Sequence, residues 1–342
     1  IKPETTEASY EVKLGAYSNM DSQRYVSIGD GNVYLVSRDP LDYYDAVLSD
    51  MIDHDDMPSF EEVTKIQFSG TETYSIIYEE ENTNTYCKED VYFAQKENSL
   101  LPLDTGRVDT YLQSISNLNP TEYVSYQVTP DELEKFGLNQ PELTVTVDYI
   151  STDEATKNQP QSFVLNISCD PKEKSHDTKT EVTAYARVGE SQIVYQISSD
   201  AYKELTAASY DDLRHLELIS ADFADIDKME ILLDGVAYDI TTKGKGENRK
   251  YYYAEEELEI DALQTAITAL KADRFTEELP TKKEEIELKL HLSHEHDPSI
   301  DVKLYQHNGT HCLAVVDDKP VALVERSYVI DVMECVNAIV LQ

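Results

Sequence analysis

A hairpin written three times constrains this chain most. Residues 25–36 read YVSIGDGNVYLV, residues from 185 onward read YARVGESQIVYQI, and residues from 313 onward read LAVVDDKPVALV. Each copy sets two apolar runs around a short turn built from Gly, Asp, Glu or Ser, the local signature of an antiparallel hairpin. A lone hairpin is marginal in water because its apolar face stays wet. A chain that repeats one therefore has to supply further strands and a helical layer to cover that face.

Those elements are legible between the copies. Tyr10, Val12 and Leu14 alternate with Glu11 and Lys13 as a half-buried strand. Asp39-Pro40 reads as the cap and first position of a helix reaching about Leu48. From Val63 the segments VTKIQF, YSIIY and VYFA read as strands. Past Asp104, the residues Val108, Tyr111, Leu112, Ile115 and Leu118 fall on one helix face. Asp234-Gly235 between apolar runs marks a further hairpin, Ile260 to Leu270 a helix, and IELKLHL and IDVKLY two alternating strands. A closing helix is expected near Tyr328 to Ile339.

By element order, the strand at Val63 answers the one at Ile226. The helix after Asp104 answers the one after Asp261, and the hairpin at Tyr25 answers the one at Tyr185. The expected fold class is α+β, with tandem repeats of antiparallel β-meanders each backed by helices. The expected organisation is the second half of a truncated first repeat over residues 1–62, a complete repeat over 63–222 and a third over 223–342. A repeat needs its other half to bury its sheet, so a further half-unit is expected upstream of Ile1.

The stretch VTPDELEKFGLNQPELTVTV carries the densest local instructions. Thr129 caps a short helix with Pro130 at its first position, and Glu132 sits where a capping box places its carboxylate. Gly137 supplies a left-handed stop, Leu138 returns toward Leu133, and Pro141 blocks continuation before a strand at Leu143, Val145 and Val147. Because the glycine ends a helix instead of opening one, a phosphate loop is excluded.

This joint of Gly137, Leu138 and Pro141 leads toward a strand ending in Gly, a Tyr-led hairpin and a VYLV strand, here Leu14-Gly15, Tyr25 and Val33 to Val36. The pattern resembles the bacterial domain-of-unknown-function family 4340. The second copy departs from it with Ser168-Cys169 where Gly15 would fall, and the third lacks the Gly-Leu-x-x-Pro joint. The resemblance implies an envelope protein with an N-terminal membrane segment, in some cases encoded beside gliding-motility-type ABC transporter genes. It brings no catalytic residues.

Composition narrows the partners. The 67 Asp and Glu against 29 Lys and Arg give a formal charge of −38, which repels phosphate backbones and anionic lipid heads. Nucleic acid is therefore excluded as a partner. No apolar run reaches the roughly 18 residues of a membrane span, so no direct membrane insertion is expected of this segment. The 24 Tyr and absence of Trp suit half-buried strands, and Tyr251 to Tyr253 are expected to pack across strands rather than to form a sugar platform. Cys87, Cys169, Cys312 and Cys335 form no CxxC pair and read as free thiols.

For chemistry, the metal candidates are His294 and His296 in HLSHEHD, with His291, Asp297, His307 and His311 nearby. They fall in a turn whose second-copy counterpart has no histidine, and a solvated loop is the expected reading. The acidic run Asp53 to Glu62 lacks the ligand alternation and central Gly of an EF-hand. No nucleophile elbow is present and no cysteine has an evident His partner. No catalytic residue and no cofactor is assigned. The expected function is an extracytoplasmic, membrane-tethered binding or scaffold module with a protein partner in the cell envelope, accessory to a transport or surface complex and anchored by an N-terminal segment outside this chain. The alternatives are a carbohydrate-active hydrolase working through paired carboxylates and a cation-dependent adhesin. A deep pocket with convergent carboxyls would favour the hydrolase, and long exposed strand edges would favour binding.

Overall fold

The structure, a computed structural model, describes residues 11–18, 23–38, 47–81, 85–96, 99–119, 122–152, 154, 156–173, 181–244, 249–293 and 299–339. It is α+β, with three antiparallel sheets and, among the described residues, six α-helices. The chain divides into two compact units, residues 1–54 and 55–342.

In the first unit, β1 (Lys13–Tyr17), β2 (Arg24–Ser27) and β3 (Tyr34–Val36) form a three-stranded sheet in that order. Gly15 is required by close approach, since a β-carbon there would stand 3.1 Å from both Cβ and the carbonyl oxygen of Tyr25. At the turn, Asp30 accepts from the Asn32 backbone at 3.0 Å and from the Tyr34 hydroxyl. The Tyr34 bond, then those from Asn32, hold the Asp30 carboxyl below its ordinary range. Tyr25, Tyr34 and Leu35 remain more than two-fifths exposed. The helix expected from Asp39 falls on residues outside the described set, and Leu48–Met51 form a 3-10 turn.

The second unit opens with β4 (Glu62–Gly70), β5 (Tyr74–Tyr78), β6 (Tyr92–Lys96), β7 (Ser99–Pro102), α1 (Thr105–Ser116), β8 (Tyr123–Ser125) and α2 (Pro130–Lys135). It continues through β9 (Leu143–Ile150), β10 (Pro160–Cys169), β11 (Ala184–Val188), β12 (Val194–Ile197), α3 (Ser199–Thr206) and α4 (Tyr210–Leu213). The strands form a nine-stranded sheet ordered β7-β6-β5-β4-β9-β10-β11-β12-β8. After a connector come β13 (Ile226–Leu233), β14 (Val236–Lys243), β15 (Lys250–Tyr253), β16 (Glu256–Leu258), α5 (Asp261–Thr268), β17 (Arg274–Phe275), β18 (Glu284–Leu292), β19 (Ser299–Gln306), β20 (His311–Val316), β21 (Lys319–Glu325) and α6 (Arg326–Ile339). These strands form a second nine-stranded sheet, β16-β15-β14-β13-β18-β19-β20-β21-β17.

The two orders follow one rule. In each sheet the first four strands run outward in reverse, the sixth to ninth run the other way, and the fifth closes the far edge beside the ninth. That fifth strand, β8 or β17, is a departure from the sequence reading, which held two meanders and no return strand. At three and two residues these strands are too short to display alternation. The three similar segments are all antiparallel hairpins, with Tyr25 opposite Leu35, Tyr185 opposite Gln196 and Leu313 opposite Leu323.

Alternation decides which face is buried. Ile286, Leu288 and Leu290 on β18 and Leu143, Val145 and Val147 on β9 are all fully buried. The α1 stripe of Val108, Tyr111, Leu112 and Ile115 covers the first sheet, and each aliphatic member of such a stripe contributes roughly 1.5–3 kcal/mol on burial. Asp104 caps α1 by accepting from the Arg107 N–H at 3.2 Å. Its counterpart α5 begins differently: Ile260 is the N-cap, with no side-chain bond, and Asp261 lies inside the first turn.

On strand β11, Ala184 and Ala186 face the main core, while Tyr185 joins a satellite cluster with Val128, Phe136, Leu138 and Val194. The α2 joint builds that cluster. Thr129 and Glu132 exchange both capping-box bonds, Glu132 Oε2 accepting from the Thr129 N–H at 2.9 Å. Gly137 takes φ +73°. The Leu138 N–H then reaches back to the Leu133 carbonyl at 2.8 Å and the Gly137 N–H to Glu134 at 3.1 Å, which is a Schellman stop.

Candidate functional site

Among the described residues, a gathering of ligand-type side chains lies where the two nine-stranded sheets are joined. The connection from β5 to β6 contains Cys87-Lys88-Glu89-Asp90. Its turn closes through the Asp90 N–H to the Cys87 carbonyl at 3.2 Å. Thr85 Oγ1 accepts from the Cys87 N–H at 3.1 Å and donates to Asp90 Oδ2 at 2.6 Å. Thr105, at the start of α1, pins the same turn by donating to the Glu89 carbonyl and accepting from the Val91 N–H, each at 3.1 Å.

Into this turn projects His215, carried by the connector after α4. Its Nε2 lies 2.9 and 3.0 Å from the two carboxylate oxygens of Asp90, and its Nδ1 lies 3.9 Å from Asp104 Oδ2. The Asp90 side chain is 1% exposed and the His215 ring 17%. Burial favours the neutral ring, but the Asp90 hydrogen bond and the charges of Asp90, Asp104 and Glu217 outweigh it, so the His215 pKa is raised. Burial first, then the acids beside it, pushes the Cys87 thiol up to about 11. One donor atom each from Cys87, Asp90 and His215 lies within 4.8 Å of the others, as does one each from Asp104, His215 and Glu217.

The same region couples the sheets. The Leu218 N–H donates to the Leu270 carbonyl at 3.0 Å, and the Ala272 N–H to Leu216 at 2.7 Å. Glu217 pairs with Lys271 at 2.9 Å and Lys88 with Asp225 at 2.6 Å. The Tyr86 hydroxyl donates to Asp317 in the β20–β21 turn. The Arg214 guanidinium stacks 3.4 Å from the centre of the Phe275 ring.

A cavity of about 910 Å³ opens between α1 and α3, its lining including the apolar Leu118, Ile197 and Leu213, Tyr111, and the charged Arg107, Glu122, Glu204 and Asp212. The Tyr111 hydroxyl is spent on the Leu205 carbonyl at 3.0 Å. Asp212 is spent on capping α4, accepting from the Ser209 N–H at 3.0 Å.

His294, His296 and Asp297 lie outside the described residues. The histidines around them are not gathered: His291 meets Glu230 at 3.1 Å, His311 meets Asp273 at 3.1 Å, and His307 stands 4.0 Å from Glu278. In the acidic run, Asp55 docks on the first sheet, accepting from Ser191 at 2.7 Å and from the Tyr195 hydroxyl at 2.9 Å. Tyr251 packs beside Phe223 and Tyr253 beside Tyr238, while Tyr252 on the opposite face sits under Lys243 at 4.4 Å. His215 escaped the sequence reading because it stands 125 positions from Asp90. The one local signal was a cysteine three residues before an aspartate in the connection between two strands.

A family model described as a domain of unknown function (DUF4340) matches residues 94–290, more than half of the chain. The chain belongs to this family. The DUF4340 match begins inside β6 and ends inside β18, so it takes in parts of both nine-stranded sheets. It includes Asp104, His215 and Glu217 and stops short of Cys87 and Asp90. Searches of curated proteins and of solved structures returned no match.

Proposed function

We propose that this DUF4340 chain is an extracytoplasmic binding or scaffold module, assembled from tandem sheet-and-helix repeats and tethered at the cell envelope, where it serves a protein partner in a transport or surface complex. The observation that carries the reading is the shared strand order of the two nine-stranded sheets. Repeats of one unit offer extended, regularly spaced surfaces, which is how many repeat proteins bind. The three-stranded sheet of residues 13–36 is then the second half of a further copy.

The long exposed strand edges expected of a binding module are not found in the nine-stranded sheets: their edge strands run from two residues in β17 to four in β7, so they give strand addition little purchase. Contact is assigned to faces and loops. The N-terminal tether outside this chain is part of the same proposal. Among the described residues no helix is long and apolar enough to cross a membrane.

The test is protease shaving of intact cells and spheroplasts carrying the tagged full-length protein, followed by crosslinking. The expected result is sedimentation with the envelope, cleavage from outside the cytoplasmic membrane and a crosslink to an integral membrane protein. Recovery in the cytosol with full protection from protease refutes the proposal.

A further inference from the structure

We propose that the junction between the two nine-stranded sheets is a binding site for a zinc-class divalent cation, with Cys87 Sγ, a carboxylate oxygen of Asp90 and Nε2 of His215 as its ligands. The donor set selects the metal class. A thiolate, an imidazole and a carboxylate together suit zinc and its borderline neighbours, whereas calcium and magnesium take oxygen-only shells.

The spacing is compatible. With zinc–sulfur bonds of about 2.3 Å and zinc–nitrogen or –oxygen bonds of about 2.0–2.1 Å, tetrahedral donors stand roughly 3.3–3.6 Å apart. The imidazole nitrogen and the carboxylate oxygens are 2.9 and 3.0 Å apart, and all three donor atoms fall within 4.8 Å. Side-chain shifts on the order of 1 Å or less bring them to a common centre.

The supporting contacts are those a metal site needs. Cys87 and Asp90 come from one hydrogen-bonded turn, so their spacing is set by backbone geometry. Thr85 donates to Asp90 and fixes the carboxylate plane. Asp104 Oδ2 stands 3.9 Å from His215 Nδ1, and closing that gap by a few tenths of an ångström would let the carboxylate orient the ligating imidazole. Charge points the same way. Asp90, Asp104 and Glu217 surround one imidazole, and of these Glu217 has Lys271 as its counter-ion. On binding, the Cys87 thiol gives its proton to solvent, and the divalent ion, the thiolate and the Asp90 carboxylate together carry no net charge. Three protein donors leave one tetrahedral position for water. Two ligands belong to a loop of the first sheet and the third to the connector leading into the second. The bound ion therefore cross-links the joint and restricts how one sheet turns against the other.

The experiment uses the reduced, metal-stripped full chain, titrated with cobalt(II) and then with zinc. The expected result is one equivalent of cobalt with thiolate-to-metal charge-transfer absorption, displaced by one equivalent of zinc. Cys87→Ser keeps the Asp90–His215 bond, and it is expected to abolish the absorption and weaken zinc binding at least tenfold. Asp104→Asn is expected to weaken it about 10–100-fold. A His294→Ala, His296→Ala double variant separates this site from the histidine-rich loop and is expected to bind as the parent does. As a readout independent of any variant's folding, zinc is expected to slow alkylation of Cys87 at least tenfold. Failure to bind micromolar zinc, cobalt binding without the thiolate band, unchanged affinity in Cys87→Ser, loss of binding in the double histidine variant, or an unchanged alkylation rate each overturns the assignment.

Discussion

Gly137 offers a measurement in which two physical costs separate. It holds φ +73°, and an added β-carbon would stand 3.2 Å from Pro171 Cγ, 3.3 Å from Ser168 Cβ and 3.4 Å from the Cys169 carbonyl oxygen. Gly189 also has a left-handed φ, +47°, but nothing lies within 4 Å of its missing β-carbon. Gly189→Ala therefore carries the backbone penalty alone, about 1–2 kcal/mol. Gly137→Ala carries that penalty plus crowding against β10, where overpacking adds about 1–3 kcal/mol. Relaxation is hindered because Ser168 Oγ already donates to the Gly137 carbonyl and accepts from the Glu142 N–H, both at 3.0 Å. The expected cost of Gly137→Ala is about 3 kcal/mol, at least about 1 kcal/mol above that of Gly189→Ala. Native-state hydrogen exchange on peptides spanning β9 and β10 reads it, with each 1.4 kcal/mol appearing as about a tenfold rise in the open population. Peptides from β13 and β18 are expected to be unchanged. Equal costs for the two variants, within about 0.5 kcal/mol, would refute the crowding argument.

Two further outcomes follow from contacts at α2 and at the joint. The Thr129 N–H first, then the Thr129 hydroxyl, hold the Glu132 carboxyl below its ordinary value of 4.5. Its contribution to the α2 cap is therefore present above that value and lost as pH falls through the lower folded one. A carbon-detected NMR titration is expected to place the Glu132 midpoint below 4.5, and a midpoint at or above it contradicts the capping box. Arg214→Ala removes the stack on Phe275 at 3.4 Å and on Tyr210 at 5.1 Å, and is expected to loosen the joint by about 1–2 kcal/mol. Arg214→Lys is expected to recover only part, because a planar guanidinium stacks and an ammonium does not. Unaltered exchange across residues 214–218 and 270–276 in Arg214→Ala would remove this contact from the account.

Local chemistry made much of the fold readable. Strand β18 announces itself through Ile286, Leu288 and Leu290, and α1 through a stripe that ends in the core. The instructions around Thr129, Gly137 and Pro141 act over a few residues, within reach of pattern. The order of strands is a different kind of information. The pairing of β4 with β9 and of β12 with β8 joins segments separated by whole helices, and no single window contains both partners. The junction cluster was hidden for the same reason. Cys87 and Asp90 are near neighbours, but His215 arrives from beyond α4, and only the folded chain brings it to them. The histidine-rich loop had the opposite character: residues conspicuous in composition, whose described neighbours His291, His307 and His311, on other segments, face separate carboxylates.

The two large cores have no member in common: the buried side chains of one come from residues 63–213 and those of the other from 218–339. Mechanical load passing along this chain therefore meets two strong bodies in series with a weaker strap at residues 214–217. Under tension the strap's few backbone bonds and ion pairs give way before either sheet, and the chain lengthens without losing what it has folded. A protease that opens one body is then expected to leave the other's buried core closed, the second losing from its surface the packing of Tyr86.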